Sequence, residues 1–278
     1  SDGGFIIVGV SYSFSNGDGD VYLVKTDSNG IQQWYRTFGG WDYDYGNFVQ
    51  QTSDGGYVIT GYTNMGDTLG NVYLIKTNSN GIQQWYKTIG GIESDEGYCV
   101  QQTSDGGYII SGYTRSFSIG ASDVYLIKTD NQGDTLWTKT FGGTGHFYDY
   151  GYSVKQTSDG GYIVAGEKFS FGNSDVYLIK TDLYGNEIWT KTFGGLDAER
   201  GYSVQQTSDG GYIVTGNTNS FGSGSWDVYL IKTDANGDSI WTKTFGGISY
   251  DYSHDVQQTI DGGYVIVGST YSFGNGGY

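Results

Sequence analysis

One sequence pattern recurs along the whole chain about every fifty residues. Five copies contain a D-G-G turn, a short apolar run, a segment close to D-V-Y-L-I-K-T, and a tryptophan followed by a G-G pair, and a sixth D-G-G turn begins a partial copy. The aspartate of the turn is Asp2, Asp54, Asp105, Asp159, Asp209 and Asp261. A repeat of this length, built of strand-like runs, indicates one supersecondary unit stacked many times. The pattern therefore constrains architecture far more than function, which repeat scaffolds place on variable loops.

The copy at residues 201–247 predicts four short strands and no helix. The strands are predicted at 202–207, 212–216, 227–233 and 240–245, separated by turns rich in Asp, Asn and Gly. The third strand is apolar on both faces, as in sheets that are covered on both sides. We therefore predict an all-β fold, a β-propeller of four-stranded antiparallel blades. A β-solenoid is the alternative, although its coils usually repeat every ~20–30 residues.

The order of predicted strands is three, then four complete blades, then two. This gives five tryptophan units and about six blade units in one domain over residues 1–278, with units near 1–45, 46–96, 97–150, 151–200, 201–252 and 253–278. Two arrangements stay open. Residues 254–259 could complete the first blade of a closed five-bladed ring, or the ring could be incomplete, which we favour. Because the chain begins without Met and both its ends fall inside a repeat, we expect a piece of a longer protein.

A tryptophan follows the third strand at a fixed distance. In five copies an Asp or Asn precedes a Gly by three residues and a Trp by seven; the tryptophans are Trp34, Trp85, Trp137, Trp189 and Trp241. This spacing resembles the tryptophan-docking motif of quinoprotein-type (PQQ-like) propellers. The whole repeat is similar to secreted bacterial and archaeal propeller proteins with S-D-G-G-Y and K-T-D units. The resemblance implies that each Trp packs between adjacent blades and that the protein is extracellular or at the cell surface.

The chain also departs from the quinoprotein dehydrogenases. It has fewer tryptophan units than those enzymes have blades, and its single cysteine, Cys99, cannot form the adjacent-cysteine disulfide of their cofactor pocket. The resemblance therefore does not carry PQQ binding to this chain, and no cofactor is predicted.

The net charge limits the classes of partner. At −16, the chain would repel nucleic acids, whose binding depends on Lys and Arg neutralising phosphates. Anionic membrane surfaces are disfavoured for the same reason. No apolar run approaches the ~20 residues of a membrane-spanning helix.

The repeats themselves show where recognition is placed. The first and third turns of each blade are nearly constant, whereas the second-to-third strand loops and the blade connections differ in every copy, and propeller geometry puts these two variable segments on one face. Most acids outside repeat positions fall in these segments, with several aromatic residues. The candidate ligand-binding residues of this variable face are Trp41, Asp42, Tyr43, Asp44, Glu93, Asp95, Tyr148, Asp149, Asp197, Glu199, Trp226, Tyr250 and Asp251.

Aromatic rings stack on sugars, and carboxylates bond to their hydroxyl groups. We therefore predict a non-catalytic secreted or surface protein whose variable face binds a carbohydrate or a surface protein. A purely structural spacer with a solubilising acidic surface is one alternative. A glycan-active hydrolase is another, because two carboxylates ~5–9 Å apart across a cleft can cleave a glycosidic bond. The candidate pairs are Asp42 with Asp44, Glu93 with Asp95 or Glu96, and Asp197 with Glu199.

Other chemical motifs are weaker. Ser253, His254 and Asp255 do not predict a catalytic triad, since adjacent strand residues point to opposite faces. His146 lacks a second histidine for zinc. The segment N-G-D-G-D at 16–20 resembles part of a calcium loop without the downstream Glu of an EF-hand, so Ca²⁺ is an option and no metal ligand is assigned. The repeated third-strand lysine is predicted to pair with the D-G-G aspartate of its own or the next blade.

Overall fold

A computed structural model of the protein describes residues 2–15, 17–66, 69–145, 147–170 and 172–274. Over these residues the chain forms 21 β-strands and no helix. The predicted all-β class is therefore confirmed. These residues also include no helical segment with the length and apolar composition needed to cross a lipid bilayer.

The strands form six antiparallel sheets in chain order. The first contains β1 (Ile6–Ser11), β2 (Asp20–Thr26) and β3 (Gln32–Phe38). Four complete sheets of four strands follow. The second sheet contains β4 (Asp44–Gln51), β5 (Tyr57–Thr63), β6 (Asn71–Thr77) and β7 (Gln83–Ile89), and the third contains β8 (Asp95–Gln102), β9 (Tyr108–Thr114), β10 (Asp123–Thr129) and β11 (Thr135–Phe141). The fourth contains β12 (Asp149–Gln156), β13 (Tyr162–Ser170), β14 (Asn173–Thr181) and β15 (Glu187–Phe193), and the fifth contains β16 (Glu199–Gln206), β17 (Tyr212–Thr218), β18 (Asp227–Thr233) and β19 (Ser239–Phe245). The last contains β20 (Asp251–Gln258) and β21 (Tyr264–Thr270). The predicted succession of three strands, then four complete four-stranded blades, then two strands is confirmed. Whether the ring closes stays a prediction.

The chain divides into two compact units. Unit 1 is Ser1–Ile119 with Tyr125–Thr140, and unit 2 is Gly120–Val124 with Phe141–Tyr278. Unit 1 holds β1 to β9 with most of β10 and β11, and unit 2 holds β12 to β21. The assignment of residues 1–278 to one domain stays a prediction.

The D-G-G turn depends on its aspartate and on both glycines. In the second sheet, Asp54 Oδ1 accepts hydrogen bonds from the Thr52 hydroxyl at 2.5 Å and from the Gly56 N–H at 2.9 Å. Gly55 has φ of +80°, a conformation that L side chains rarely adopt. A Cβ on Gly56 would overlap the carbonyl oxygen of Thr77. Backbone conformation therefore favours glycine at position 55, and lack of space favours it at position 56.

The repeated lysine pairs with the D-G-G aspartate of its own blade. The Nζ···Oδ2 distances are 2.6–2.9 Å for Lys25–Asp2, Lys76–Asp54, Lys128–Asp105, Lys180–Asp159 and Lys232–Asp209. The lysine side chains are nearly buried, while the aspartates are more than half exposed. The predicted ion pair is confirmed, and the same-blade alternative is the correct one.

Neighbouring sheets of one unit share an apolar core. In unit 1, Val21 and Leu23 of β2 pack with Ile59 and Ile75 of the next sheet. Every residue of β6 and of β10 is buried, as expected for a third strand covered on both faces. Each fully buried aliphatic side chain stabilises the fold by ~1.5–3 kcal/mol relative to exposure. The third strands are therefore the centre of the hydrophobic core.

Four of the repeated tryptophans contact the tyrosine of the next D-G-G-Y turn. The ring centroids lie 5.8–6.0 Å apart, edge to face, in the pairs Trp34–Tyr57, Trp85–Tyr108, Trp189–Tyr212 and Trp241–Tyr264. All five tryptophans, including Trp137 on β11, are partly buried. Each of these four rings therefore links its own sheet to the following one.

Candidate functional site

The two kinds of variable segment lie side by side in both units. In unit 1, the Asp44 N–H donates to the Gly19 carbonyl at 2.7 Å, which joins the blade connection to the preceding second-to-third strand loop. In unit 2, the Asp251 N–H donates to the Trp226 carbonyl at 2.7 Å in the same way. The pairing of these segments on one face agrees with the sequence prediction.

The acid that begins the first strand of a blade is buried, although these acids were predicted to bind a ligand on the variable face. The exposed fraction is 0–2% for Asp44, Asp95, Asp149, Glu199 and Asp251. Glu199, for example, accepts hydrogen bonds from the Gly195 N–H at 2.8 Å and the Thr218 hydroxyl at 2.6 Å. Buried N–H groups of a tight connection need an acceptor, and the adjacent carboxylate supplies it.

The pKa values of these acids depend on the balance between burial and hydrogen bonding. Burial raises the pKa of Asp149 to about 6, although the Phe169 N–H donates to its carboxylate at 2.9 Å. Burial also acts on Asp251, but hydrogen bonds from Ser272 and Thr270 outweigh it and lower the pKa of that carboxyl. The carboxylates of these acids therefore accept hydrogen bonds within the protein.

The remaining candidates lie at the surface. Trp41, Asp42, Tyr43, Glu93, Tyr148, Asp197 and Tyr250 are exposed, and Trp226 is partly buried. The pairs Asp42/Asp44, Glu93/Asp95 and Asp197/Glu199, which were candidates for hydrolysis, each have one exposed and one buried member. A large apolar side chain also stands exposed directly after the G-G pair in four connections, with exposed fractions of 81–95% for Trp41, Ile92, Leu196 and Ile248.

A pocket of about 280 Å³ lies on the variable face of unit 1. It is formed where the first and second strands of two successive sheets meet their connections. Aromatic, amide, hydroxyl and carboxyl groups converge in it, a combination typical of small-molecule sites. The lining residues are Tyr43, Tyr45, Tyr62, Asn64, Ser94, Glu96 and Tyr113.

Glu96 is the carboxylate of this pocket. It is the second residue of β8 and lies opposite Tyr113 of β9. Asn47 Nδ2 donates to Glu96 Oε1 at 2.8 Å and to the Gly97 carbonyl at 3.0 Å. Burial raises the pKa of Glu96, although hydrogen bonds from Asn47, Tyr98 and Tyr113 oppose the shift. The carboxylate is therefore held in one orientation before any ligand arrives.

Tyrosine rings form the other walls of the pocket. The rings of Tyr43 and Tyr45 are stacked, with centroids 6.0 Å apart and an interplanar angle of 8°. The Tyr62 ring follows at 6.1 Å from Tyr45. The Ser94 Oγ and the Tyr113 hydroxyl are 3.0 Å apart and hydrogen-bonded. The walls thus combine flat apolar faces with hydroxyl groups.

The same strand positions in unit 2 carry other side chains. Tyr150 of β12 lies opposite Glu167 of β13, and Arg200 of β16 lies opposite Asn217 of β17. The variable face therefore includes strand residues as well as loops, and its charge differs between the units.

Sequence reasoning found part of this pocket. It predicted Tyr43, and it considered Glu96 only as a partner of Glu93 in a carboxylate pair. It placed Tyr45 in a variable connection without choosing it as a ligand-binding residue, and it did not consider Tyr62 or Tyr113, which lie in second strands. The signal was present in the repeats, since the second residue of the first strand changes in identity while its neighbours are nearly constant.

The weaker motifs have separate surroundings. The Ser253 hydroxyl donates to the Gly216 carbonyl at 2.7 Å, and Asp255 Oδ1 accepts from the Ser203 hydroxyl at 2.5 Å, so neither bond involves His254. His146 lies outside the described residues, as does Asn16 of the 16–20 segment. Among the described residues, no three His, Cys, Asp or Glu side chains are grouped so as to hold a metal ion. Calcium binding stays a prediction.

Comparison with known proteins supports the fold. No family model matches the chain. It is 31% identical over 177 residues to the regulatory protein FlaEY of Caulobacter vibrioides, covering 54% of this chain and 18% of that protein. The chain thus matches less than a fifth of the length of that relative.

Two solved structures are similar in fold. The Pan2 WD40 domain of Neurospora crassa superimposes with a TM-score of 0.55 at 9% identity, covering 89% of this chain and 67% of that one. A puromycin hydrolase S511A mutant complexed with PGG superimposes with a TM-score of 0.51 at 10% identity, covering 95% of this chain and 40% of that one. WD40 repeats form β-propellers, and the quinoprotein type remains a resemblance. The chain is therefore a β-propeller repeat protein.

Proposed function

We propose that this chain is a non-catalytic binding protein and that the Glu96 pocket of unit 1 binds a neutral saccharide. The observation that carries the proposal is the half-buried Glu96 carboxylate, oriented by Asn47 and surrounded by tyrosine rings. We further propose that the protein acts outside the cell, as the resemblance to secreted propeller proteins implies.

The chemistry of the pocket suits a hydroxyl-rich ring. A carboxylate accepts up to several hydrogen bonds and donates none, so it pairs with the hydroxyl groups that a sugar presents. The stacked faces of Tyr43 and Tyr45 offer an apolar platform for the C–H face of such a ring. The pocket volume of about 280 Å³ is near the lower end of the ~300–1,000 Å³ typical of ligand sites, which favours a short ligand.

Binding fits the pocket better than hydrolysis does. Glycoside hydrolysis by the usual route needs two carboxylates across the bond to be cleaved. Among the described lining residues, Glu96 is the one carboxylate. Asp95 is buried beneath the connection and accepts hydrogen bonds from the Gly91 N–H and the Ser116 hydroxyl. The pocket therefore supports recognition without a paired acid.

We infer that the repeated tryptophans act as docking groups between blades. The edge-to-face contact of Trp85 with Tyr108 supports this role, as do its equivalents in the other sheets. A rigid interface between two blades would hold the walls of the Glu96 pocket, since the walls come from two successive sheets.

The test is a glycan array followed by calorimetric titration with the best neutral saccharide. We expect Glu96→Gln to weaken binding about tenfold, because a charge-assisted hydrogen bond is replaced by a neutral one. We expect the affinity of the unsubstituted protein to fall as the pH is lowered through the pKa of Glu96, which burial raises. The Glu96→Gln variant should lack this pH dependence.

The matched control is Glu93→Gln. Glu93 carries the same charge three residues before Glu96, is exposed, and is not among the lining residues of the pocket. It should leave binding unchanged. Equal losses in both variants would reduce the effect to general surface charge, and an array with no neutral glycan signal would favour the spacer alternative.

A further inference from the structure

The second residue of the first strand alternates along the chain. Tyrosine occupies it in β4, β12 and β20, as Tyr45, Tyr150 and Tyr252. The intervening sheets carry a charged residue there, Glu96 in β8 and Arg200 in β16. The position therefore repeats every two blades, and unit 2 places a cation where unit 1 places its pocket carboxylate.

Arg200 belongs to a built cluster of side chains. Its Nε lies 3.1 Å from Glu167 Oε2, an ion-pair distance without good hydrogen-bond alignment. The Tyr152 hydroxyl donates to the same Oε2 at 3.0 Å, and the Tyr152 and Tyr202 rings lie 5.2 Å apart. The guanidinium carbon stands 5.3 Å from the Trp226 ring centroid. A cation–π contact with the indole and the ion pair with a buried acid thus hold the guanidinium in place.

The cluster leaves its cation open to solvent. The Arg200 side chain is 42% exposed, whereas that of Glu167 is 6% exposed. An arginine has five N–H donors in a planar fork, and the Glu167 oxygen beside Nε together with the hydrogen-bonded Tyr202 side chain engages only part of them. Outside the repeated lysine and arginine positions, the chain has only Arg115, Lys155, Lys168 and Arg200 as bases. An exposed, oriented guanidinium is therefore unusual on a chain of net charge −16.

We propose that the Arg200 cluster is a second binding site, which takes the carboxylate group of an acidic saccharide. The outer N–H groups of a guanidinium match the two oxygens of a carboxylate in a bidentate pair. The neighbouring Trp226 and Tyr202 rings offer aromatic faces for the sugar ring that bears it. Only the choice of a saccharide rests on the proposed function, because carboxylate recognition follows from Arg200 itself.

The experiment titrates trigalacturonate and its methyl ester, in which neutral ester groups replace the carboxylates. We expect the acid to bind and the ester to bind at least about tenfold more weakly. Arg200→Gln should weaken binding of the acid about 10- to 100-fold and leave binding of the ester unchanged. Glu96→Gln should leave binding of the acid intact, which separates this site from the pocket of unit 1.

Arg200→Gln alone leaves the Glu167 charge buried without its partner and could disturb folding. The double variant Glu167→Gln/Arg200→Gln removes both charges and keeps similar side-chain shapes, so it should fold. Its affinity for trigalacturonate should be reduced as in Arg200→Gln. Arg115→Gln is the matched control, since it removes one arginine from another exposed position and should have no effect.

Several outcomes would overturn the proposal. They are no binding of trigalacturonate to the unsubstituted protein, equal binding of acid and ester, unchanged acid binding in the double variant, or an equal loss in Arg115→Gln. Neutral saccharide binding, measured on the same samples, reports on the Glu96 pocket. Failure of one site is therefore distinguishable from failure of the other.

Discussion

The Lys232–Asp209 pair is asymmetric in its exposure to solvent. The lysine side chain is 5% exposed and the aspartate 58%, so the carboxylate brings a solvated negative charge to a buried ammonium. The Lys232 Nζ also donates to the Thr233 carbonyl at 2.8 Å. Hydrogen bonds from the Thr207 hydroxyl, the Lys232 ammonium and the Gly211 N–H lower the pKa of Asp209 to about 2. The negative charge of Asp209 therefore stabilises the folded state, although the side chain lies at the surface.

This pairing makes stability depend on pH in a definite direction. The pKa of Asp209 is lower in the folded protein than the value of about 3.9 in an unfolded chain. The folded state therefore binds fewer protons, and the contribution is fully present above about pH 4 and lost as the pH falls to about 2. The repeat equivalents Asp54, Asp105 and Asp159 also have pKa values of about 2 and titrate in the same window.

We predict that Asp209→Asn lowers the free energy of unfolding by about 1–2 kcal/mol at pH 7. The amide keeps an acceptor for Thr207 and Gly211, so the loss isolates the charge. Asp261→Asn is the matched control, because Asp261 accepts the same turn hydrogen bonds in a sheet of two strands that has no third-strand lysine. Urea unfolding at pH 7 and at about pH 3 should show the difference between the two variants shrinking in acid. A difference that grew in acid would contradict the assignment.

At the scale of the element, two acidic side chains lie so close to one glycine of the blade connection that no larger residue fits there. A Cβ on Gly194 would overlap both Asp175 Oδ1 and Glu199 Oε2. Glu199 holds the connection through the Gly195 N–H, and burial raises the pKa of Asp175, with the charge of Glu199 adding to the shift. Glycine at position 194 is therefore required by space and not by backbone conformation.

We predict that Gly194→Ala lowers the free energy of unfolding by about 1–3 kcal/mol, because the added methyl must displace a buried carboxylate. Gly143, in another connection of unit 2, has open space around an added Cβ. Gly143→Ala should therefore change stability by less than about 0.5 kcal/mol. Chemical denaturation of both variants measures the difference. Equal effects would mean that the connection relaxes around the methyl group.

The strands were predicted better than the surfaces they carry. The third strand of the template copy was predicted at 227–233 and runs from Asp227 to Thr233. The first strand was predicted to begin at 202 but begins at Glu199, because the acid that holds the connection also pairs in register with Thr218. Alternation and turn residues are local signals, whereas the burial of Glu199 depends on a connection that folds back over it. For the same reason, sequence alone could not separate the buried Asp44 from the exposed Asp42.

At the scale of the whole molecule, net charge and local pairing act in opposite directions. The chain carries −16, and its repeated third-strand lysines are already paired with the D-G-G aspartates. The exposed acids of the connections, such as Asp42, Glu93 and Asp197, add charge that no ion pair among the described residues compensates. Repulsion among such groups favours solubility and opposes compaction. Surface charge should therefore limit stability at low ionic strength.

We predict that the thermal midpoint rises by a few degrees between about 0.01 M and about 0.15 M NaCl, as the Debye length falls from ~30 to ~8 Å. The triple variant Asp42→Asn/Glu93→Gln/Asp197→Asn should show a smaller rise, because three exposed charges are removed. Arg115→Gln/Lys243→Gln removes two exposed positive charges and should show a larger one. Differential scanning calorimetry at constant pH gives all three slopes. If the midpoint fell with salt, screening of the favourable lysine–aspartate pairs would outweigh the relief of repulsion, and the ion pairs rather than the net charge would govern the stability of this fold.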